Sequence, residues 1–180
     1  MVLHSQLIEH CSIRSAIVPY TIAENSDGIC ELWFFFGIDT ASKDLTDFGG
    51  GVKRHENVIT GGYRELNEET KGIFKNVIKI EDLERSVGAT IKSRANQMSV
   101  LFVPIGREWI KKASVLFEEA KINTSDCNEI FRVEPINENS FLQLIHSSDS
   151  IMWKNIRRFY SMIYTDRFRN RLYDHFRSKG

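Results

Sequence analysis

An α/β or α+β fold, with strands and helices interleaved along one chain, is what this sequence predicts. Two observations predict it. Runs of β-branched, aliphatic and aromatic residues of strand length occupy 12–22, 30–38 and 99–105. Apolar residues recur at helical spacing over about 57–70 and 108–121. A third observation bounds the answer. The chain has 180 residues, 42% hydrophobic and 27% charged, with no repeat and no linker, which suits a body able to bury its own core.

The elements follow in order. SIRSAIVPYTI (12–22) reads as a strand, Glu24 to Gly28 as a turn cluster ending in Asp-Gly, and CELWFFFGI (30–38) as a second strand, so the two predict a hairpin. Residues 39–47 are polar and read as a loop, followed by the run Phe48-Gly49-Gly50-Gly51-Val52. Asn57 is placed to cap a helix that runs to about Thr70, with Gly72 as its stop signal. The charged stretch 79–86 carries no clear pattern. SVLFVPI (99–105) reads as a buried strand, and 108–121 as a helix with Trp109, Ile110, Ala113, Leu116, Phe117 and Ala120 on one side. Residues 128–136 alternate as a further strand, 141–145 start a short helix, and 151–176 read as one long basic, aromatic helix.

Composition excludes several classes. Three Pro and 11 Gly do not make a disordered or collagen-like polymer. No apolar run approaches the ~18 residues of a membrane span, and the N-terminus lacks a basic segment leading into an apolar one. Cys11, Cys30 and Cys127 are widely spaced and outside any CxxC, which reads as free thiols in a reducing, cytoplasmic setting. His4, His10, His55, His146 and His175 show no metal-ligand spacing. Whole-chain charge is zero, with 24 basic and 24 acidic residues, but it is unevenly spread. Residues 151–180 carry eight Lys or Arg against two Asp, a net +6, which leaves −6 on the first 150. The chain divides on this basis into 1–150 and a basic, aromatic segment 151–180 packed on it.

The segment with chemistry is GGGVKRHENVITGGYRELNEETKGI, residues 49–73. On a helix Glu65, Glu68 and Glu69 fall within one arc of about 100°, beside a separate apolar arc of Ile59, Tyr63, Leu66 and Ile73. Glu65 and Glu69 are like charges at i,i+4, which costs an isolated helix a few tenths of a kcal/mol, and Arg64 is placed to pair with Glu68. A hard divalent cation would offset the repulsion far more, and such cations share carboxylates with substrate phosphates. The glycine run ahead of the helix allows close backbone approach. Gly61 and Gly62, inside the helix, read as a close-packing site against a sheet.

This spacing resembles the Nudix box, G-x5-E-x7-R-E-U-x-E-E-x-G-U, with U a bulky aliphatic. Gly50, Glu56, Arg64, Glu65, Leu66, Glu68 and Glu69 stand in register. The end departs from it: Lys71-Gly72 replaces the Gly-aliphatic pair, which reads as a helix one residue longer before its glycine stop. More weakly, the strands at 12–20 and 32–37 resemble those that precede the box, and 128–136 resembles a later family strand.

The resemblance implies a Nudix-type α/β/α sandwich around a mixed sheet, here with an added C-terminal helix. It implies a hydrolase that cleaves a diphosphate linkage in a nucleoside diphosphate joined to another group, using Mg²⁺ or Mn²⁺. It implies that Glu65, Glu68 and Glu69 face the metal, joined by the Gly49 carbonyl; that Arg64 orients the glutamates; and that Glu56 ties the loop to the helix start. For the general base it offers a box glutamate or a distal one, with Glu129 favoured over Glu118, Glu119 and Glu134. Lys53, Arg54 and His55 share the box loop and are candidates to meet phosphate. Trp33, Trp109 and Trp153 are read as core. The basic segment 151–180 reads as a docked helix with a solvated face. Its sharper alternative is an RNA surface, which would make capped RNA the substrate. A non-catalytic binding module is a third reading, disfavoured because such a module has no need of three glutamates.

Overall fold

The computed structural model describes residues 12–124 and 128–179. Cys11, Cys127, His4 and His10 lie outside them; Cys30 is an exposed free thiol.

Among these residues, seven strands form one mixed sheet. They are β1 (Ser12–Glu24), β2 (Cys30–Asp39), β3 (Leu45–Thr46), β4 (Phe48–Gly51), β5 (Val87–Lys92), β6 (Asn96–Pro104) and β7 (Ile130–Asn137). The hairpin read from Asp27-Gly28 is present: β1 and β2 run antiparallel from Tyr20↔Phe34 to Glu24↔Cys30. Beyond Tyr20 and Phe34 the two strands part. β4 takes up β1 through Arg14↔Gly51 to Ile17↔Phe48, and β3 takes up β2 at Gly37↔Thr46 and Ile38↔Leu45. Asp47 joins β3 to β4 at this split. The other edge of β1 pairs with β6 in parallel, and β7 lies antiparallel on the outer edge of β2.

Among the described residues, six helices cover the sheet: α1 (Val58–Glu69), α2 (Ile80–Glu84), α3 (Trp109–Asn123), α4 (Glu138–His146), α5 (Lys154–Ile163) and α6 (Asp166–Lys179). Alternation along the strands divides the core in two. Phe35 and Ile17 face a cluster with Leu66 of α1, Leu83 of α2, and Trp109 and Phe117 of α3. Phe34, Phe36, Val18 and Tyr20 face the other, with Phe141 of α4, Ile156 and Tyr160 of α5, and Phe168 and Leu172 of α6. The result is the expected α/β/α sandwich.

Three elements differ from the sequence reading. The segment 151–176 is two helices, not one. The first ends at Tyr164, and the Thr165 hydroxyl caps the second by accepting from the Phe168 N–H at 3.2 Å. The polar loop 39–47 contains β3, and the segment before 99 contains the strand β5, which among the described residues pairs with β6 alone. The box helix is not extended either. It stops at Glu69 with Thr70 as its cap, and Lys71 itself takes φ +56 ahead of Gly72 at φ +74. Lysine thus occupies the left-handed turn where the box pattern has glycine.

The rings of Phe159, Tyr160, Tyr164 and Phe168 are buried. They fill the core and are not presented as platforms for a strand of RNA. Several tail cations have local partners: Arg169 pairs with Glu138 at 2.7 Å and Lys179 with Asp82 at 3.1 Å. No described helix is long and apolar enough to cross a membrane.

Candidate active site

The site is built around α1. Asn57 caps it, its side chain accepting from the Ile59 and Thr60 N–H groups while Thr60 accepts from the Asn57 N–H. This reciprocal cap fixes where the helix begins. Leu66 is fully buried and Ile59 and Tyr63 pack beside it, so the apolar arc seats the helix on the sheet. Gly62 permits the close approach: a Cβ there would stand 2.6 Å from the Ser15 hydroxyl on β1.

Seating the apolar arc turns Glu65 and Glu69 toward the split between β1 and β2. Gly50 of β4 lies directly against Glu65, where a Cβ would come within 2.5 Å of the carboxyl. Glu69 is only 5% exposed. Burial, then the carboxylates of Asp47, Glu65 and Glu129, push its pKa from 4.5 up to about 9, against the lowering effect of Arg14. Burial also raises Glu65, opposed by its hydrogen bond from Arg64. The buried pair Asp47 and Glu69, half-buried Glu65 and exposed Glu129 therefore act on one another across a short span, and water screens the buried pair poorly.

Arg64 braces the group. Its Nε donates to Glu56 Oε2 at 2.8 Å and its terminal nitrogens to Glu56 Oε1 at 3.0 Å, Glu65 at 3.0 Å, Glu68 at 3.3 Å and the Gly51 carbonyl at 3.0 Å. Glu56 also accepts from the Lys53 N–H at 2.9 Å. The Arg64 hydrogen bond, then that from Lys53, hold its pKa down near 2. One guanidinium thus ties the loop after β4 to both carboxylates on the first half of the acidic arc.

A cavity of about 440 Å³ opens beside these residues, lined by Gly49, Gly50, Glu69 and Glu129 together with Arg14, Asp39, Ser42 and Trp153. Glu129 stands at the mouth of β7 and reaches this cavity. The other distal candidates are elsewhere: Glu118 is near Lys121 on α3, and Glu134 pairs with Arg132. Lys53, Arg54 and His55 are exposed in the loop before α1 and are not among the lining residues. Trp109 is core, as expected, but Trp153 is 43% exposed and lines the cavity.

Arg14 and Asp47 carried no sequence signal. Asp47 is 2% exposed and its carboxylate accepts from Arg14 at 2.7 and 3.3 Å and from the Tyr160 hydroxyl at 2.7 Å. Burial works against the Arg14 charge, and Asp47 outweighs it and raises the pKa. These partners are 33 and 113 residues apart, so no local pattern could have joined them.

A divalent cation suits this donor set. Among the described residues no three ligand-type side chains close on one point as a cage. Mg²⁺ does not ask for one. It keeps waters and takes one or two carboxylates with substrate phosphates. The buried Glu69, the adjacent Glu65 and the Gly49 carbonyl offer hard oxygens, and a divalent cation would relieve the crowding of negative charge that otherwise draws a proton to Glu69.

No family model matches the chain, and no curated relative does. Solved structures do. A MutT/Nudix family protein from Enterococcus faecalis is 18% identical, with 71% of this chain and 44% of that one covered and a TM-score of 0.44, so this chain spans less than half its length. A MutT/Nudix family protein from Listeria innocua is 13% identical, covering 84% of this chain and 93% of its own, with a TM-score of 0.49. An Ap4A hydrolase from C. elegans is 15% identical, covering 54% and 71%, with a TM-score of 0.39. In the residues of its box, and in the α/β/α sandwich that carries them, the chain resembles the Nudix hydrolases.

Proposed function

We propose that the chain is a divalent-metal-dependent hydrolase of phosphoric anhydrides, cleaving a diphosphate linkage in a small nucleotide-type substrate. The observation that carries this reading is that Glu69 and Glu129 line one cavity with the β4 glycines, Glu65 lying against Gly50 beside it, with Glu69 buried and its pKa raised to about 9. A structural role does not call for a carboxylate held at such cost.

Glu65, Glu69 and the Gly49 carbonyl would hold Mg²⁺ or Mn²⁺, with Glu68, the most exposed of the three box glutamates, at the edge. Bound there, the ion would neutralise phosphate charge and lower the pKa of the attacking water. Glu129, across the cavity from Glu69, takes the proton from that water as its oxygen attacks phosphorus. The anhydride P–O bond breaks in line, and the leaving phosphate carries away the bonding electron pair. Arg64 keeps Glu65 and Glu68 aimed and touches no substrate. Lys53, Arg54 and His55, in the exposed loop, meet only the outer part of a long substrate.

A hydrolysis screen with Mg²⁺ and Mn²⁺ tests this, comparing wild type with Glu69→Gln and Glu129→Gln. It covers nucleoside triphosphates, ADP-ribose, dinucleoside polyphosphates and cap-labelled RNA. Metal-dependent turnover that falls at least a hundredfold in Glu69→Gln is the expected result. Turnover unchanged in that variant would overturn the site. Release of methylated guanosine diphosphate from RNA alone would replace the small-nucleotide substrate with capped RNA.

A further inference from the structure

A second cavity of about 520 Å³ adjoins the first, and the two share Arg14 and Trp153 in their walls. Their chemistry differs. Asp39, Glu69 and Glu129 line the first, where Arg14 is the single cation among the described lining residues. The second has no carboxylate among its described lining residues. It presents Arg14, Arg158 and the amides of Gln97 and Asn155, with apolar surface from Met98 and Phe159. Electrostatic character therefore reverses across the Arg14–Trp153 junction.

The junction is tied to the sheet through its backbone. The Trp153 N–H donates to the Leu45 carbonyl at 3.0 Å, the Leu45 N–H to the Ile151 carbonyl at 2.9 Å, and neighbouring Met152 is buried. Its backbone is thus pinned to β3 while 43% of the residue stays exposed. The Arg14 guanidinium lies over the indole, 6.0 Å from the ring centroid. Two of its five N–H groups bond Asp47; the other three have no hydrogen-bond acceptor among the described residues, and they suit a phosphate oxygen.

We propose that Arg14 and Trp153 form the binding site for the nucleoside arm of the substrate. This rests on the hydrolase reading for the position of the diphosphate. The phosphates occupy the acidic cavity with the metal, Arg14 takes a phosphate oxygen at the junction, and the flat base stacks on Trp153 and enters the second cavity. The ligand class is a nucleoside diphosphate carrying an aromatic base, as opposed to an anhydride without one. Arg14 and Trp153 both lie outside the box, and Trp153 belongs to the C-terminal segment.

Calorimetric binding of ADP and of inorganic pyrophosphate, each with Mg²⁺, tests this on the full chain. The proteins compared are wild type, Trp153→Ala, Trp153→Phe and Arg14→Lys. Trp153→Ala should weaken ADP about tenfold or more, the range of a lost base–aromatic stack, and leave pyrophosphate unchanged. Trp153→Phe should restore most of the loss. Arg14→Lys, which leaves Asp47 a cation, should weaken both ligands. ADP binding unaffected by Trp153→Ala, an equal loss for pyrophosphate, or no ADP binding by wild type would overturn the assignment. ADP binding that depends on Trp153 in a protein that hydrolyses nothing would leave the subsite standing and remove the hydrolase reading.

Discussion

The Tyr160 hydroxyl on α5 donates to the buried carboxylate of Asp47 at 2.7 Å, and that same carboxylate holds Arg14 at the rim of the cavity. A residue of the C-terminal segment thereby sets the position of a cation on the first strand. Replacing Tyr160 with Phe keeps the ring in the core and removes one partner of a buried carboxylate. We expect a stability loss of about 1–3 kcal/mol in urea unfolding. Nucleotide affinity should fall several-fold, because the carboxylate that holds Arg14 loses one of its anchors. An unchanged unfolding midpoint would show that Asp47 is satisfied without the hydroxyl.

Glu69 links function to a cost in stability. Its pKa stands near 9 in the fold against an ordinary value of 4.5, so the folded state prefers the protonated form. The stability this group contributes is fully present below about pH 4.5 and is lost as pH rises toward 9. In chelator at pH 8, Glu69→Gln should therefore be more stable than wild type by roughly 1–3 kcal/mol, while being inactive. Adding Mg²⁺ should raise the wild-type midpoint and leave the variant nearly unmoved. Metal affinity should increase with pH, since the ligand must be deprotonated.

Gly50 tests the glycine strand. A Cβ there meets the end of the Glu65 side chain and not backbone, so alanine fits once Glu65 swings aside. Gly50→Ala should change stability by less than about 1 kcal/mol but lower turnover at least tenfold. Loss of folding, seen in circular dichroism, would mean that the strand cannot accept the methyl group at all.

Lys71 sits at φ +56 where the box pattern has glycine. The left-handed conformation costs an ordinary residue about 1–2 kcal/mol. Lys71→Gly should raise the thermal midpoint by a few degrees for a chain of this size, with turnover unchanged. A fall in the midpoint would mean that the lysine side chain offsets its own backbone strain.

The sequence made α1 legible because its information is local. The cap at Asn57, the apolar arc through Leu66 and the acidic arc through Glu69 all lie within one helix, and the hairpin announces itself at Asp27-Gly28. β4 was hidden because three glycines have no strand propensity; its pairing with Ala16 makes it a strand. β5, an edge strand of alternating small and polar residues, lacked the hydrophobic density of its neighbour. The break at Tyr164 has no proline or glycine to mark it. Asp47 looked like one more polar loop residue, and only the parting of β1 from β2 buries it. Trp153 looked like core for the opposite reason: composition cannot say which of three tryptophans faces out.

The Tyr20 hydroxyl donates to the Leu172 carbonyl at 2.8 Å, across 152 residues. A ribosome making this chain releases Tyr20 of β1 a full 152 residues before Leu172 of α6, so the first strand waits through all of that synthesis for this contact. Until α4, α5 and then α6 emerge, one face of the sheet shows phenylalanine and tyrosine to chaperones and proteases. A chain cut short before α6 would leave Tyr20 without its acceptor and this side of the core open.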